Sequence, residues 1–237
     1  MKTLLVPGLC LALLFASCTT DSPDETLYNT SNVPQSDEIT PSFLRAGFGP
    51  ANTNNVYDYT GKLYNEILDA AIANSTGTGV INVVTDVNAA ASSNSGFTAI
   101  SSGYTGITTT TVSWVVSNSS DDQIIINSTG ASTRGKQELS DFVDLMEALP
   151  NRDYDESYNI IASFEHDVIN DSTLNSLDKR IILSATSIAR YSLYRTFNNG
   201  GDKSWSKHKT GIYGGITGAD SSAAGGVTMG VSSWMAQ

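Results

Sequence analysis

The sequence predicts a mainly α-helical fold, a multi-helix, bundle-like domain that follows a disordered tether. Four long segments carry apolar residues at three- and four-residue intervals, the spacing of one helix face. Five of the six prolines lie within the first 50 residues, which favours helices in the remainder because a proline inside a helix costs about 3 kcal/mol. Small residues recur every four positions in residues 211–230, a spacing typical of closely packed helices.

Residues 1–17 are predicted to be a signal peptide. Lys2 supplies a positive charge, and the apolar run of residues 4–15 is too short to span a bilayer. Ala16 and Ser17 then lead to Cys18, so the segment resembles a bacterial lipoprotein signal, in which the cysteine becomes the first mature residue and carries the lipid. An ordinary secretory signal that contains a cysteine is the alternative. The resemblance implies lipidation at Cys18 and a membrane anchor in the cell envelope, at the outer membrane or cell surface rather than in the cytoplasm.

The cysteine content agrees with this interpretation. The chain has two cysteines, Cys10 and Cys18, and Cys10 lies in the segment that would be removed. With Cys18 acylated, the folded part has no thiol and therefore no disulfide, no thiolate nucleophile and no cysteine metal site. We expect an ordinary hydrophobic core to stabilise the fold.

Residues 18–54 are predicted to be a disordered tether. They are rich in Ser, Thr, Asn, Asp and Pro, show little hydrophobic periodicity, and contain four of the prolines. Such a segment buries too little apolar surface to offset the entropy that it would lose on ordering. Residues 55–237 are predicted to form one domain, which is long enough for a single core.

Four helices are predicted inside this domain, at residues 57–74, 133–150, 155–170 and 171–201. Pro150 ends the second helix, and the fourth begins at cap-forming residues and ends at a glycine pair. The apolar faces of the first two helices comprise Leu63, Ile67, Leu68, Ala71 and Ile72, and Leu139, Phe142, Val143, Met146 and Leu149.

Residues 75–132 are ambiguous in the sequence. Stretches such as GVINVVTDV and ITTTTVSWVV are rich in Val, Ile and Thr, which favour strands. Against this, residues 85–88 look like a helix start, and Ser120 and Gln123 have the spacing of a capping box. We expect short helices and loops here, with an α+β fold that contains a small hairpin within residues 78–126 as the alternative.

Three segments carry a resemblance to known sequences. They are GKLYNEILD (61–69), LDKRIILSATSIARYSLYRTF (177–197) and the Gly/Ala-rich tail that follows a tryptophan. Together they resemble an uncharacterised group of secreted proteins and lipoproteins from Bacteroidota, and the resemblance implies a mainly helical fold without an assigned activity. Members of that group are expected to carry His where this chain has Tyr64, so chemistry that depends on that position is not expected here.

The charge distribution argues against nucleic-acid binding. The chain has a formal net charge of −11, and removal of residues 1–17 removes Lys2 and leaves −12. Residues 179–237 contain seven Lys or Arg and two Asp, a net charge of +5, so residues 18–178 carry −17. Contacts to phosphate need clustered cations, and no nucleic acid is expected as a partner. The basic C-terminal part is expected to face the acidic part within the fold, with an anionic surface as the alternative.

No residue pattern predicts a catalytic, cofactor or metal site. The triplet Glu165-His166-Asp167 lies on a helix, where consecutive side chains point about 100° apart; it cannot converge on a metal ion and is expected on a solvated face. His208 lies between Lys207 and Lys209, whose charge disfavours a metal ion. There is no Gly-x-Ser-x-Gly elbow, phosphate-binding loop or dinucleotide fingerprint. The carboxylates of residues 153–156 are expected to complement a helix N-terminus.

Residues 211–230 contain seven glycines. Each glycine costs a solvated helix about 1 kcal/mol relative to alanine, so the segment is helical only if close packing stabilises it. We predict a glycine-zipper-like helix whose stripe of small residues contacts the apolar face of residues 177–197. The stripe comprises Gly214, Gly218, Ser222, Gly226 and Gly230. Flanking tryptophans, Trp205 and Trp234, leave a membrane or subunit contact as the alternative, although Asp220 opposes insertion.

These features predict an exported, lipid-anchored cell-envelope protein that acts by binding a protein or another envelope partner. It is expected not to be an enzyme and to need no cofactor. One alternative is a membrane-active or bacteriocin-like antagonistic protein that uses the glycine-rich C-terminal segment. A second alternative is a hydrolase with a dispersed site.

Overall fold

The structure is a computed structural model that describes residues 49–198 and 204–237. These residues belong to one compact unit, and their regular structure consists of ten α-helices and a 3₁₀-helix, Leu149–Asn151, with no strand among them. The α-helices are α1 (Asp58–Ala73), α2 (Val80–Ser93), α3 (Ser95–Ile100), α4 (Thr109–Asn118), α5 (Asp122–Ser128), α6 (Thr133–Glu147), α7 (Tyr154–Asn170), α8 (Ser176–Asn198), α9 (Trp205–Ala219) and α10 (Ala223–Ala236). The prediction of a mainly α fold is confirmed. The predicted signal peptide, Cys18 and the tether as far as residue 48 lie outside the described residues.

The four helices predicted from apolar periodicity are present as α1, α6, α7 and α8. Only α8 starts clearly later than predicted, at Ser176 rather than residue 171. The reason is Asn175, whose side-chain oxygen accepts the N–H groups of Leu177 (2.8 Å) and Asp178 (3.0 Å) and so caps the helix at that point. The glycine pair predicted to end this helix lies outside the described residues.

The hairpin alternative for residues 78–126 is wrong, because this region folds as α2 to α5. Residues 85–88, which look like a helix start, lie in the middle of α2, whose Val83, Val84 and Val87 face the core. The cap of α5 is Asp121 rather than Ser120: its carboxylate accepts the N–H of Gln123 at 3.1 Å. Burial of one apolar face outweighs strand propensity in these short segments.

α8 is the central helix of the fold. Every residue from Ile181 to Leu193 is buried, because α1, α7 and α9 pack around it. α1 comes closest: the N–H of Gly61 donates to the Ser187 hydroxyl at 3.0 Å, and a Cβ at Gly61 would overlap the Ser187 carbonyl oxygen. α10 packs on α9 and is covered by α1, α2 and α4. Helices α8, α9 and α10 therefore form the interior, and the other helices surround them.

Residues 50–54 are part of the folded domain rather than of the predicted tether. Asn52 and Asn55 are both buried, and the Tyr158 hydroxyl donates to the carbonyl oxygen of Ala51 at 2.9 Å. The polar composition of residues 50–54 made them look like the end of a tether. These polar side chains are buried because they have hydrogen-bond partners in the interior, which the sequence does not reveal.

Candidate functional site

A cluster of charged side chains lies in the interior between α1, α7 and α8. The Arg190 side chain is fully buried and pairs with Glu165 (Nε to Oε2, 3.1 Å) and with Asp58 (Nη2 to Oδ1, 2.5 Å). The Tyr191 hydroxyl donates to the second oxygen of Asp58 at 3.1 Å. We call these four residues the Arg190 cluster.

Glu165 corrects the prediction that residues 165–167 form a solvated face. Its side chain is fully buried, whereas His166 and Asp167 are exposed. The Glu165 carboxylate accepts hydrogen bonds from the side chains of Asn52 (2.6 Å), Asn55 (2.8 Å) and Thr186 (2.7 Å), in addition to Arg190. A buried carboxylate is tolerated when charge and hydrogen bonds satisfy it in this way.

The Arg190 cluster connects residues 50–58 to the central helix. Arg190 also donates to the carbonyl oxygen of Pro50, and Asn55 donates to the carbonyl oxygen of Leu183 at 2.9 Å. Burial by itself lowers the pKa of Arg190, but the carboxylates of Glu165 and Asp58 outweigh it, and the pKa lies above its ordinary value. The guanidinium therefore stays charged, and the cluster acts as an internal clamp rather than as a proton donor.

A second polar site surrounds His208, which is buried at the start of α9. The Ser192 hydroxyl lies 2.7 Å from Nδ1, and the Thr196 hydroxyl lies 2.9 Å from Nε2. Because Thr196 gives its own hydrogen to the carbonyl oxygen of Ser192 (3.0 Å), this geometry fits an imidazole that donates from Nε2 and accepts the Ser192 hydrogen at Nδ1. Sequence inspection could not find this pair, because Ser192 and His208 lie on different helices.

A pocket of about 240 Å³ opens beside His208. Its walls are Pro150, Leu193, Phe197 and Trp205, with Thr196 and His208 as polar groups. The Ser192 side chain is 3% exposed and does not line this pocket. The hydroxyl that His208 could activate therefore lies away from the open space.

Residues 211–230 are helical where predicted, but they form two helices rather than one. The chain turns between α9 and α10, and the Ser222 hydroxyl caps α10 by accepting the N–H of Gly225 at 3.0 Å. The predicted continuous stripe is therefore split at Ser222. Nothing in the four-residue spacing marks this break, although Ser222 is itself a common N-cap residue.

The glycines of α9 and α10 bring the two helix backbones into contact. A Cβ at Gly218 would overlap the carbonyl oxygen of Gly225, and a Cβ at Gly225 would lie 2.5 Å from the Gly218 carbonyl oxygen. Further along, a Cβ at Gly230 would lie 3.0 Å from the Gly211 carbonyl oxygen. The main partner of α9 is therefore α10, and the prediction that it would be α8 is only partly right: Gly215 does approach α8, where its Cβ would lie 2.8 Å from Ile188 Cδ1.

The turn of this α9–α10 hairpin is fixed to its surroundings. Arg180 on α8 donates to the carbonyl oxygens of Ala219 (2.8 Å) and Asp220 (2.6 Å), the last carbonyls of α9. The Asp220 carboxylate accepts the N–H of Gly130 at 2.9 Å. Asp220, the one charged residue of the glycine-rich segment, thus anchors the turn to the loop between α5 and α6.

The two tryptophans that flank the glycine-rich segment lie on the hairpin helices. Trp205 starts α9, and the Trp234 ring, near the end of α10, has the Lys207 ammonium group 5.0 Å from its centroid. No helix in residues 49–198 or 204–237 has both the length and the apolar composition that a membrane crossing requires.

Two surface grooves flank α2. The first, which we call the α1–α2 groove, has a volume of about 630 Å³, and its lining includes Asn74, Thr76, Thr85, Asp86, Ala89 and Ser93. The second, the α2–α3 groove, has a volume of about 410 Å³ and is lined by Asn88, Ser92, Phe97 and Tyr104, among others. Neither groove has a Lys, Arg or His among its lining residues. No sequence motif pointed to either groove.

Within the described residues, no three His, Cys, Asp or Glu side chains are grouped so that they could hold a metal ion. No protein-family model matches the chain, and searches of curated proteins and of solved structures gave no match. The resemblance to the Bacteroidota group and the lipid anchor at Cys18 therefore stay predictions.

Proposed function

We propose that this is an exported protein, anchored to the bacterial cell envelope by a lipid on Cys18, that acts by binding a partner through the grooves beside α2. The observation that supports binding most directly is this pair of grooves, whose lining residues include no Lys, Arg or His. The α9–α10 hairpin supports the same proposal, since α10 packs against α2, the helix that both grooves share.

Capture of a partner from the native cell envelope tests the binding proposal. The full chain, in detergent, is compared with Ala89→Phe, which places a ring in the α1–α2 groove. The matched control, Ala148→Phe, adds the same ring to an exposed residue at the end of α6. We expect the control to retain a captured partner and Ala89→Phe to lose it. Equal capture by all three proteins, or capture by none, contradicts the proposal.

The anchor is tested separately. Cys18→Ala is expected to leave the protein soluble or unprocessed, because it removes the residue that would carry the lipid. A Cys18→Ala protein that still partitions into detergent as a mature-size, lipid-modified band contradicts the assignment.

A hydrolase is the second candidate, based on the contact between Ser192 and His208; it requires that the buried Ser192 hydroxyl become accessible from the neighbouring pocket. Labelling by a serine-directed activity probe, with loss of the label in Ser192→Ala, would support it. A membrane-active role for the α9–α10 hairpin is the remaining alternative; it predicts leakage of liposomes on addition of the purified protein.

A further inference from the structure

We propose that the α1–α2 groove binds a primary ammonium group carried on a slender aliphatic chain. Such a group occurs in free diamines and in lysine side chains, which share this chemistry. The proposal deepens the proposed binding function, on which it rests, by naming the chemistry of the ligand.

The groove contains an acidic side chain that forms no ion pair within the described residues. Asp86 lines the groove and is 7% exposed. One carboxylate oxygen accepts the backbone N–H of Thr76 at 2.9 Å, and the other accepts the Thr76 hydroxyl at 2.9 Å. No Lys, Arg or His among residues 49–198 and 204–237 forms an ion pair with it. A carboxylate held by neutral donors alone attracts a positive charge from outside.

Three hydroxyl groups on the groove wall already donate their hydrogens within the protein. Thr76 donates to Asp86 (2.9 Å), Thr85 to the carbonyl oxygen of Ile81 (2.9 Å), and Ser93 to the carbonyl oxygen of Ala89 (3.0 Å). Each hydroxyl has one hydrogen and two lone pairs, so these three groups now offer only acceptors. A ligand must bring the donors.

The Asn74 amide also lines the groove. One of its two side-chain N–H groups donates to the carbonyl oxygen of Ala70 at 2.8 Å, so the amide keeps one donor and offers its oxygen as a further acceptor. An ammonium group has three donors and no acceptor. It complements a wall of lone pairs and a carboxylate, whereas a phosphate or carboxylate ligand would meet like charge and unpaired acceptors.

Shape and long-range charge agree with this chemistry. Ala70, Ala89 and Ala90 contribute small walls, which leave room for an unbranched methylene chain. Residues 63–133 contain five carboxylates. Glu66 pairs with Lys62 and Asp69 pairs with Arg195, whereas Asp86, which lines the groove, keeps a charge that attracts a cation. A divalent metal ion fits less well, because it favours several carboxylate oxygens. Asp86 is the one carboxylate among the residues that line this groove.

Titration calorimetry on the purified full chain at low ionic strength tests the proposal, because salt screens exposed charges. Cadaverine represents the free diamine, and Nα-acetyl-lysine amide represents a lysine side chain. The neutral isostere 1,5-pentanediol and Ca²⁺ are the comparison ligands. We expect saturable binding of an amine and no binding of the diol; the tighter of the two amines identifies the source of the ligand.

Two variants localise the binding. Asp86→Asn removes the charge, and Ala89→Phe fills the groove but keeps the Asp86 carboxylate, so a folding defect in one variant still leaves the other to decide. Each is expected to weaken amine binding at least about tenfold, whereas the matched controls Asp141→Asn and Ala148→Phe on α6 change it less than about twofold. Absence of amine binding, equal binding of the diol, tighter binding of Ca²⁺, or binding that neither groove variant weakens overturns the proposal.

Failure of the ammonium proposal can be told apart from failure of the proposed binding function. Amine binding without groove-dependent capture from the envelope contradicts the binding role but keeps the groove as an ammonium site. Groove-dependent capture without amine binding keeps the binding role and removes the ammonium assignment.

Discussion

Helices α8–α10 and helices α2–α5 use the same small residues in opposite ways. In the α9–α10 hairpin, glycines let two backbones touch, so that a single added Cβ at Gly218 would overlap a carbonyl oxygen. Around α2, alanines and serines face a groove of about 630 Å³, and a Cβ at Gly79 would meet nothing within 4 Å. A small residue therefore indicates close packing only where another backbone fills the space that it leaves.

The two regions also differ in how they hold polar groups. The interior region carries a fully buried arginine whose hydrogen bonds all run to other parts of the chain. The α2–α5 region carries exposed Ser, Thr and Asn side chains that bond to nearby carbonyl oxygens of the same helix. Substitutions are therefore expected to cost most in α8–α10 and least around α2.

The largest effect is expected at Arg190. Arg190→Met leaves Glu165 and Asp58 without their cation and should lower the free energy of unfolding by about 3–5 kcal/mol, the usual cost of breaking a buried ion pair from one side. The control is Arg195→Met, which removes a pair with the mostly exposed Asp69 and should cost no more than about 1 kcal/mol. Urea melts of both variants measure this difference, and similar small losses would show that the Arg190 cluster does not clamp the fold.

A glycine comparison should give the next largest effect. Gly218→Ala is expected to cost about 1–3 kcal/mol, because the two helices must separate to admit the new methyl group. Thr217→Leu, one position away and partly exposed, should cost less. Gly79→Ala should stay within about 0.5 kcal/mol, since its backbone is in an ordinary extended conformation and the space beside it is open. Equal melting temperatures for Gly218→Ala and Gly79→Ala would remove the distinction between the two regions.

A tyrosine in α9 gives an effect that depends on pH. The Tyr213 hydroxyl is buried without a hydrogen-bond partner. Tyr213→Phe should therefore raise stability at neutral pH by about 0.5–1 kcal/mol. Burial raises the pKa of Tyr213, and the carboxylate of Asp122 raises it further. A raised pKa means that the folded state holds the proton more tightly than the unfolded state. The protonated Tyr213 hydroxyl therefore makes its full contribution to the free energy of unfolding below the ordinary pKa of tyrosine, about 10. That contribution is lost as the pH rises above this value.

Melts at several alkaline pH values check this prediction. The parent protein should lose stability above about pH 10, and Tyr213→Phe should lose less of it over the same range. An identical alkaline loss in both proteins would show that Tyr213 ionises as easily in the folded state as in the unfolded chain.

The smallest effect is expected in the α1–α2 groove. Ala89→Phe should change the free energy of unfolding by no more than about 0.5 kcal/mol, because residue 89 is exposed and the ring enters open space. The same urea melt measures it. A loss as large as that of Gly218→Ala would mean that the groove is part of the packed core.

Local patterns in the sequence account for the long helices but not for the contacts between them. The apolar spacing of α1, α6 and α7 predicts their bounds closely, because one face of each is buried. The residues that build the interior clamp come from separate helices, and Glu165 and Arg190 stand 25 residues apart. Because Glu165 precedes His166 and Asp167, its sequence context predicts a solvated side chain. Only tertiary packing brings its carboxylate to the Arg190 guanidinium.

The glycine-rich segment shows the same limit. Its composition requires close packing, since seven glycines would otherwise disfavour a helix. Composition does not say which helix supplies the packing, and the turn at Asp220 lets the segment pack on itself. The grooves were missed for a related reason: the spacing of Asp86 and Ala89 has no signature, and a concave surface arises only when α1 and α2 are placed side by side.

Hydrogen–deuterium exchange of the full chain, read in buffer and again with anionic lipid vesicles, tests most directly whether α9–α10 is a fixed core beneath a more open α2–α5 layer. We predict that the amides of residues 211–234 exchange most slowly in both conditions, only through global unfolding, and that those of α2–α5 exchange faster through local opening. Faster exchange in residues 211–234 than in α2–α5, or loss of their protection when vesicles are added, would contradict this account and would favour a segment that leaves the core.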